Sequence, residues 1–377
     1  MKLKKKVCIL TTVHPPFDGR IFSREARTIA KMGLDVSLVA SHDKAEMVDG
    51  IRIVPLPTHR SRLSRIAGGM QVLRLALKEK ADIYHFHDPE LIPIGFLLKI
   101  FSKSKIVYDV HEDHPKTILT KYYLPKTFRR ILAFFFNIIE KSACYSFDYI
   151  IFATEGIEKN FPQFAHKSSV VHNLPRKSYI GVRNAESEKA LSKKTHTIIC
   201  TGGFDVQYGI REAVESLGLI RKRNVRLLLI GKYQDSKFAD ALRRLPEYHM
   251  VEFMEWIPQK ELFEHLFGAE IGLVLYHPLP YMVEALPTKI FEYMAAGIPI
   301  LASNFPLWQS IVEGNGCGVT VDPTDPKKIA EKITYLIEHS ALRKQMGENG
   351  RRAFIDRYNW DLEKQKMVHI FHGLLAN

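Results

Sequence analysis

The chain has 377 residues, too many for one ordinary core and enough for two domains. Its 46% hydrophobic and 25% charged content argues against large-scale disorder, and no stretch reaches the roughly 18 uncharged apolar residues of a membrane span. The net charge of +13 is uneven: residues 1–180 carry 29 Lys and Arg against 17 Asp and Glu, while residues 181–377 carry 25 against 24.

The first residues, MKLKKKVCILTTV, resemble a signal peptide in charge and hydropathy. No small-residue cleavage site follows, so the run reads as a first β-strand. A loop, HPPFDGR, and an amphipathic helix, SREARTIAKMG, come next, then the strand DVSLVAS. IRIVPLP, ADIYHFH, KIVYDVH and YIIFAT continue the strands, with helical stretches between several of them. Alternation of this kind predicts a mostly parallel sheet covered on both faces. After a polar stretch at residues 176–196 the series restarts with TIICTGG, VRLLLIGK, MVEFMEW, IGLVLYH and IPILASN. The stretch reads as a linker. The expected organisation is α/β, with two Rossmann-like domains (residues 1–180 and 181–355) facing across a cleft. Residues 356–377 form a helix returning to the first domain. Four scattered cysteines, Cys8, Cys144, Cys200 and Cys317, suit reduced thiols rather than a disulfide framework or zinc site.

The densest chemical signal is YMVEALPTKIFEYMAAGIPILAS. Pro287 marks a helix start, Gly297 its left-handed end, and Pro299 prevents continuation. Glu284 falls in the loop before that helix and Glu292 in its second turn. A helix N-terminus with free N–H groups is a natural diphosphate site, and Lys289 adds a cation in the first turn.

The Glu284/Glu292 spacing followed by EYMAAGIPILAS resembles the donor-site signature of glycosyltransferase family 4, the retaining enzymes of the GT-B fold. HPPFDGRIFSREARTIAKMGLDV, ADIYHFHDPEL, KIVYDVHED, TGGFDVQYGIREAVESL, LLLIGK and YNWDLEKQ agree in order, so the resemblance covers almost the whole chain. It implies transfer of a sugar from a nucleotide-diphosphate donor to a glycan or lipid-linked acceptor, without a metal or other cofactor. Glu292 would bind the donor ribose and Glu284 the hydroxyls of the transferred sugar. His111 would lie at the reaction centre. Gly202, Gly203, Thr288 and Lys289 would approach the diphosphate, with Lys232 nearby and Ile257 at the base. Asp18, Gly19, Arg20 and His87 would stand on the acceptor side.

One departure from the family pattern concerns the loop after the first strand of the second domain. Family members usually place an Arg and a Lys there, but GGFDVQYGI has no cation before Arg211. Either Lys289, Lys232, Arg211 or Arg20 takes over, or turnover suffers. His85, His87, His111 and His114 lie near strand ends, yet they lack the spacing of a zinc hydrolase, and no metal is expected. Residues 116–141 combine cations with an apolar stripe around Phe134, Phe135 and Phe136. With the basic first half, this suggests peripheral contact with anionic lipid on the inner face of the cell membrane, in an otherwise cytoplasmic protein. Nucleic acid is not an expected partner, since no binding module for it is present. A sugar-nucleotide epimerase and a catalytically impaired donor-binding subunit are the alternatives.

Overall fold

A computed structural model describes residues 4–57, 62–121, 123–179, 195–221 and 224–376. The chain forms two compact units. The first comprises residues 1–173 and 360–377, and the second residues 174–359. Most of the polar stretch read as a linker, residues 180–194, lies outside the described residues.

The first unit carries an eight-stranded sheet in the order β3-β4-β2-β1-β5-β6-β7-β8. Its strands are β1 (Lys6–Leu10), β2 (Asp35–Ser41), β3 (Glu46–Val48), β4 (Ile51–Leu56), β5 (Ile83–Phe86), β6 (Lys105–Val110), β7 (Tyr149–Phe152) and β8 (Ser168–Val170). All neighbours pair in parallel except β3, which turns back along β4. The short apolar runs in the sequence are what such strands require, because helices cover both faces. Two apolar clusters flank this sheet, one around Phe86, Tyr108 and Phe147 and the other around Ile9, Ile21 and Phe371.

The second unit has a six-stranded sheet in the order β11-β10-β9-β12-β13-β14, with every pairing parallel. Its strands are β9 (His196–Phe204), β10 (Val225–Tyr233), β11 (Val251–Met254), β12 (Ile271–Val274), β13 (Ile300–Ser303) and β14 (Gly318–Val321). The strand order reverses around β9, as it does around β1 in the first unit. In open parallel sheets, ligand sites form beyond the carboxyl ends of strands at such points.

The last helix, Trp360–Ala376, belongs to the first unit. Its Trp360 indole N–H donates to Thr28 Oγ1 at 3.1 Å, and Glu363 accepts the backbone N–H of His172 at 2.9 Å. The expected helix after the first loop begins earlier than its sequence pattern implies. A π-helical turn, Ile21–Ala26, precedes the α-helical turn Arg27–Lys31.

Candidate active site

In the first unit, the carboxyl ends of β1, β5 and β6 bring together residues far apart in sequence. The Asp88 carboxylate, just after β5, accepts from Thr11 Oγ1 at 2.8 Å and from the backbone N–H groups of Thr12 and Val13 at 2.5 and 3.2 Å. Asp18 does similar work for the next turn, accepting the backbone N–H of Arg20 at 2.7 Å and of Ile21 at 2.9 Å. Burial works against the Asp18 charge, but His14 and these amides hold its pKa below the usual carboxylate value. Gly19 lies within this turn, where a Cβ would stand 3.6 Å from the Arg24 guanidinium.

Arg20 and His87, expected on the acceptor side, are both buried. The Arg20 Nη2 sits 2.9 Å from each oxygen of Asp109, and its Nε donates to Glu25 Oε1 at 2.7 Å. Glu25 meets His87 Nε2 at 2.7 Å through its other oxygen. His111 is the more accessible member of the group, its side chain 19% exposed and its Nε2 3.4 Å from Asp109 Oδ1. Burial lowers the His111 pKa against the pull of Asp109, which favours a neutral imidazole. Its ring stands 5.1 Å from that of His87 and 5.9 Å from that of His14. For His14, burial opposes charge, but Asp18 and Asp88 raise its pKa above the ordinary value.

Donor atoms of Glu25, His85, His87 and Asp109 all lie within 4.8 Å of one another, a set that resembles a metal cage. The Arg20 guanidinium, however, rests on both carboxylates. A divalent ion would have to displace it or share its place, so the set reads as a buried ion network.

In the second unit, a cavity of about 280 Å³ opens beyond the ends of β9, β10 and β11. Gly202, Gly203, Ile257, Thr288, Lys289 and Glu292 line it, as do Thr201, Tyr276 and Trp256. The helix Thr288–Ala296 starts at the cavity and ends at Gly297, whose φ of +70° is the left-handed cap the sequence implied. Gly202 (φ +107°) and Gly231 (φ +152°) let the ends of β9 and β10 pass closely: a Cβ on Gly231 would lie 1.8 Å from the Gly202 carbonyl oxygen. Gln259 donates to Glu292 at 3.2 Å. Glu284 is exposed in the preceding loop, and Lys232 is exposed near the end of β10; neither lines the cavity.

The aromatic residues in the cation-poor loop are structural. Phe204 is fully buried, and Tyr208 packs on Tyr276 with ring centroids 4.8 Å apart. Sequence reasoning missed Trp256, which is 76% exposed beside the cavity. Its place next to Ile257 in the loop after β11 was the available signal.

The profile described as Glycosyltransferase Family 4 matches residues 19–174, and that described as Glycosyl transferases group 1 matches residues 182–353. The capsular polysaccharide biosynthesis glycosyltransferase CapM of Staphylococcus aureus is 22% identical over 378 residues, covering 92% of each chain. Phosphatidyl-myo-inositol mannosyltransferase of Mycobacterium leprae is 19% identical over 366 residues, covering 95% of this chain and 90% of its own. Among solved structures, sucrose-phosphate synthase from Thermosynechococcus elongatus superposes with a TM-score of 0.81 at 18% identity, covering 99% of this chain and all of its own. Anabaena HepE in complex with UDP and glucose gives 0.75 at 14% identity, over 98% and 100% of the two chains. With both of its Rossmann-like units matched in order, the chain belongs to the family 4 glycosyltransferases and has the GT-B fold class.

Proposed function

We propose that this chain is a retaining glycosyltransferase. It moves a sugar from a nucleotide-diphosphate donor onto a glycan or lipid-linked acceptor, in surface polysaccharide or glycolipid assembly. The observation that carries this reading is the second-unit cavity, where two glycines, a helix N-terminus, a buried lysine and Glu292 converge. The capsular and phosphatidylinositol substrates in the relatives' names support the acceptor class, and UDP bound to HepE supports the donor class.

In this reading Glu292 holds the ribose and Glu284 the transferred sugar, while Gly202, Gly203, Thr288 and Lys289 meet the diphosphate. The base lies by Ile257, with Trp256 available to stack on it. His111, as a neutral imidazole, hydrogen-bonds the transferred sugar. Asp18 and Gly19 shape the acceptor loop, and buried Arg20 and His87 position it. The departing phosphate oxygen takes the acceptor's proton on the same face of the sugar, without a metal ion. The protein contributes orientation and charge stabilisation.

The acceptor unit works at the inner face of the cell membrane. Among the described residues, no helix is long and apolar enough to cross a membrane. Yet the helix Lys126–Ser146 leaves Phe128, Phe134, Phe135 and Ile139 more than half exposed, with Lys126 and Arg130 exposed alongside. That combination suits an anionic bilayer interface.

A thermal-shift screen against nucleoside diphosphates and their sugars, without added metal, tests the donor reading. A selective rise with one nucleotide sugar is expected. No shift with any of them, in folded protein, would overturn it.

A further inference from the structure

A cavity of about 470 Å³ lies within the first unit, between the short helix His114–Leu119 and the long helix Lys126–Ser146. Its size is that of a small-molecule site. The long helix turns Arg130, Ala133, Asn137, Glu140 and Lys141 to it, the three- and four-residue spacing of one helix face. Across from them, Asp113 caps the short helix through the Lys116 backbone N–H at 3.0 Å and accepts Asn160 Nδ2 at 2.9 Å.

Several polar groups of this lining are left open. Among the described residues, neither Asn137 nor Arg130 has a hydrogen-bond or ion-pair partner. Glu140 is buried and meets Tyr108 through Oε1 alone, leaving Oε2 without a described donor. Asn160 uses its amide N–H groups on Asp113 and the Gly156 carbonyl, so its own carbonyl oxygen remains an acceptor. Phe161, 4% exposed, adds an aromatic ring to the wall.

This mixture of donors and acceptors selects among ligands. A phosphate would meet the carboxylates of Glu112, Asp113 and Glu140 along with the cations, and repulsion would offset the attraction. A hydrocarbon chain would strip water from the same groups without replacing it. Sugar hydroxyls both donate and accept, so they satisfy carboxylates, amides and cations together.

We propose that this cavity is a subsite for one saccharide unit of the acceptor glycan, beside the unit that receives the transferred sugar. The inference rests on the reading of the chain as a glycosyltransferase with a glycan acceptor. The cavity wall begins at Glu112, the residue after His111, so its occupant stays next to the proposed reaction centre. Phe134 forms part of the wall and is 61% exposed on the helix proposed to meet the bilayer, which keeps the subsite within reach of a lipid carrier.

The test is saturation-transfer NMR with methyl glycosides of glucose, galactose, mannose and N-acetylglucosamine, with inorganic phosphate and phosphatidylglycerol vesicles as rival probes followed by sedimentation and titration. Wild type should bind at least one glycoside saturably. Asn137→Leu should bind it about tenfold more weakly, with an unchanged melting temperature and unchanged response to nucleotide sugars. Should that variant fail to fold, Arg130→Met, at an exposed position, carries the same comparison. Glu292→Ala, in the donor cavity, should leave glycoside affinity as it is. Absence of binding by all four glycosides overturns the subsite, as does binding that neither cavity variant weakens. Binding of phosphate or vesicles that Arg130→Met abolishes, with no glycoside bound, overturns the saccharide class in favour of an anion. Glycoside binding at the cavity in a protein that no nucleotide sugar stabilises supports the subsite and sinks the donor reading alone.

Discussion

Arg20 places one guanidinium nitrogen 2.9 Å from both carboxylate oxygens of Asp109, and neither side chain reaches solvent appreciably. Asp109 is the penultimate residue of β6, two residues before His111, so the pair ties the first loop to the strand that presents the accessible histidine. Replacing Arg20 with Met leaves Glu25 and Asp109 as neighbouring buried carboxylates. A loss of about 3–5 kcal/mol of folding stability is expected, read by urea denaturation. A loss under about 1 kcal/mol would mean that the network carries little energy.

Glu140 gives a pH signature. It is a buried residue of the helix Lys126–Ser146 and accepts the Tyr108 hydroxyl at 2.8 Å. Burial raises its pKa from 4.5 to about 7, with Asp113 adding to the rise and Lys141 opposing it. The folded state therefore holds this proton more tightly than the unfolded chain. Its contribution is fully present below about pH 4.5 and is lost as pH rises towards 7, by about 3 kcal/mol in all. Glu140→Gln should remove that slope, making the variant relatively more stable at pH 8 than at pH 4.5. Denaturation curves for both proteins at the two pH values decide it.

Kinetics should separate the two units' contributions. Glu292→Ala is expected to weaken donor binding, raising KM for the nucleotide sugar about tenfold or more. His111→Ala should lower kcat more than it raises KM, because its contact strengthens as charge develops on the sugar. If both variants lose only binding, the role given to His111 is wrong.

The apolar face of Lys126–Ser146 predicts lipid binding. Wild-type protein should co-sediment with phosphatidylglycerol-containing vesicles at low salt and release as salt rises. A Phe134→Glu, Phe135→Glu double variant should stay in the supernatant with its melting temperature unchanged, since both side chains are exposed.

Gly231→Ala tests the close passage of β9 and β10. The new methyl would collide with the Gly202 carbonyl oxygen at a backbone conformation that L-residues rarely adopt. The expected result is a loss of about 3 kcal/mol or more, with impaired nucleotide binding.

Much of this was legible in the sequence, because parallel strands buried on both faces leave short apolar runs such as VCIL and LLLIG. The helix at the donor cavity was legible from its punctuation, Pro287 and Gly297, which local backbone geometry dictates. The strand Glu46–Val48 was not, since three residues, two of them half-buried on either side of an exposed Met47, are too few to show a usable period. Nor was the burial of Arg20 and His87. Their partners Glu25 and Asp109 lie 5 to 89 residues away, and only sheet formation brings them together. The sequence named four cations that could serve the diphosphate; that Lys289 lines the second-unit cavity, that Arg211 and Lys232 are exposed and that Arg20 pairs with Glu25 and Asp109 are features only the fold reveals.

The helix Trp360–Ala376 makes the first unit a discontinuous domain, with residues 174–359 inserted within it. Trp360, Met367, Ile370 and Phe371 pack in the same cluster as Val7, Ile9, Ile21 and Ile29. A ribosome therefore releases the opening strands long before the residues that cover them exist. One apolar flank of the first sheet must wait, open to aggregation or chaperone capture, until residues 360–371 have been made. A premature stop just after residue 359 would injure the first unit, while the inserted unit, already made, would be spared.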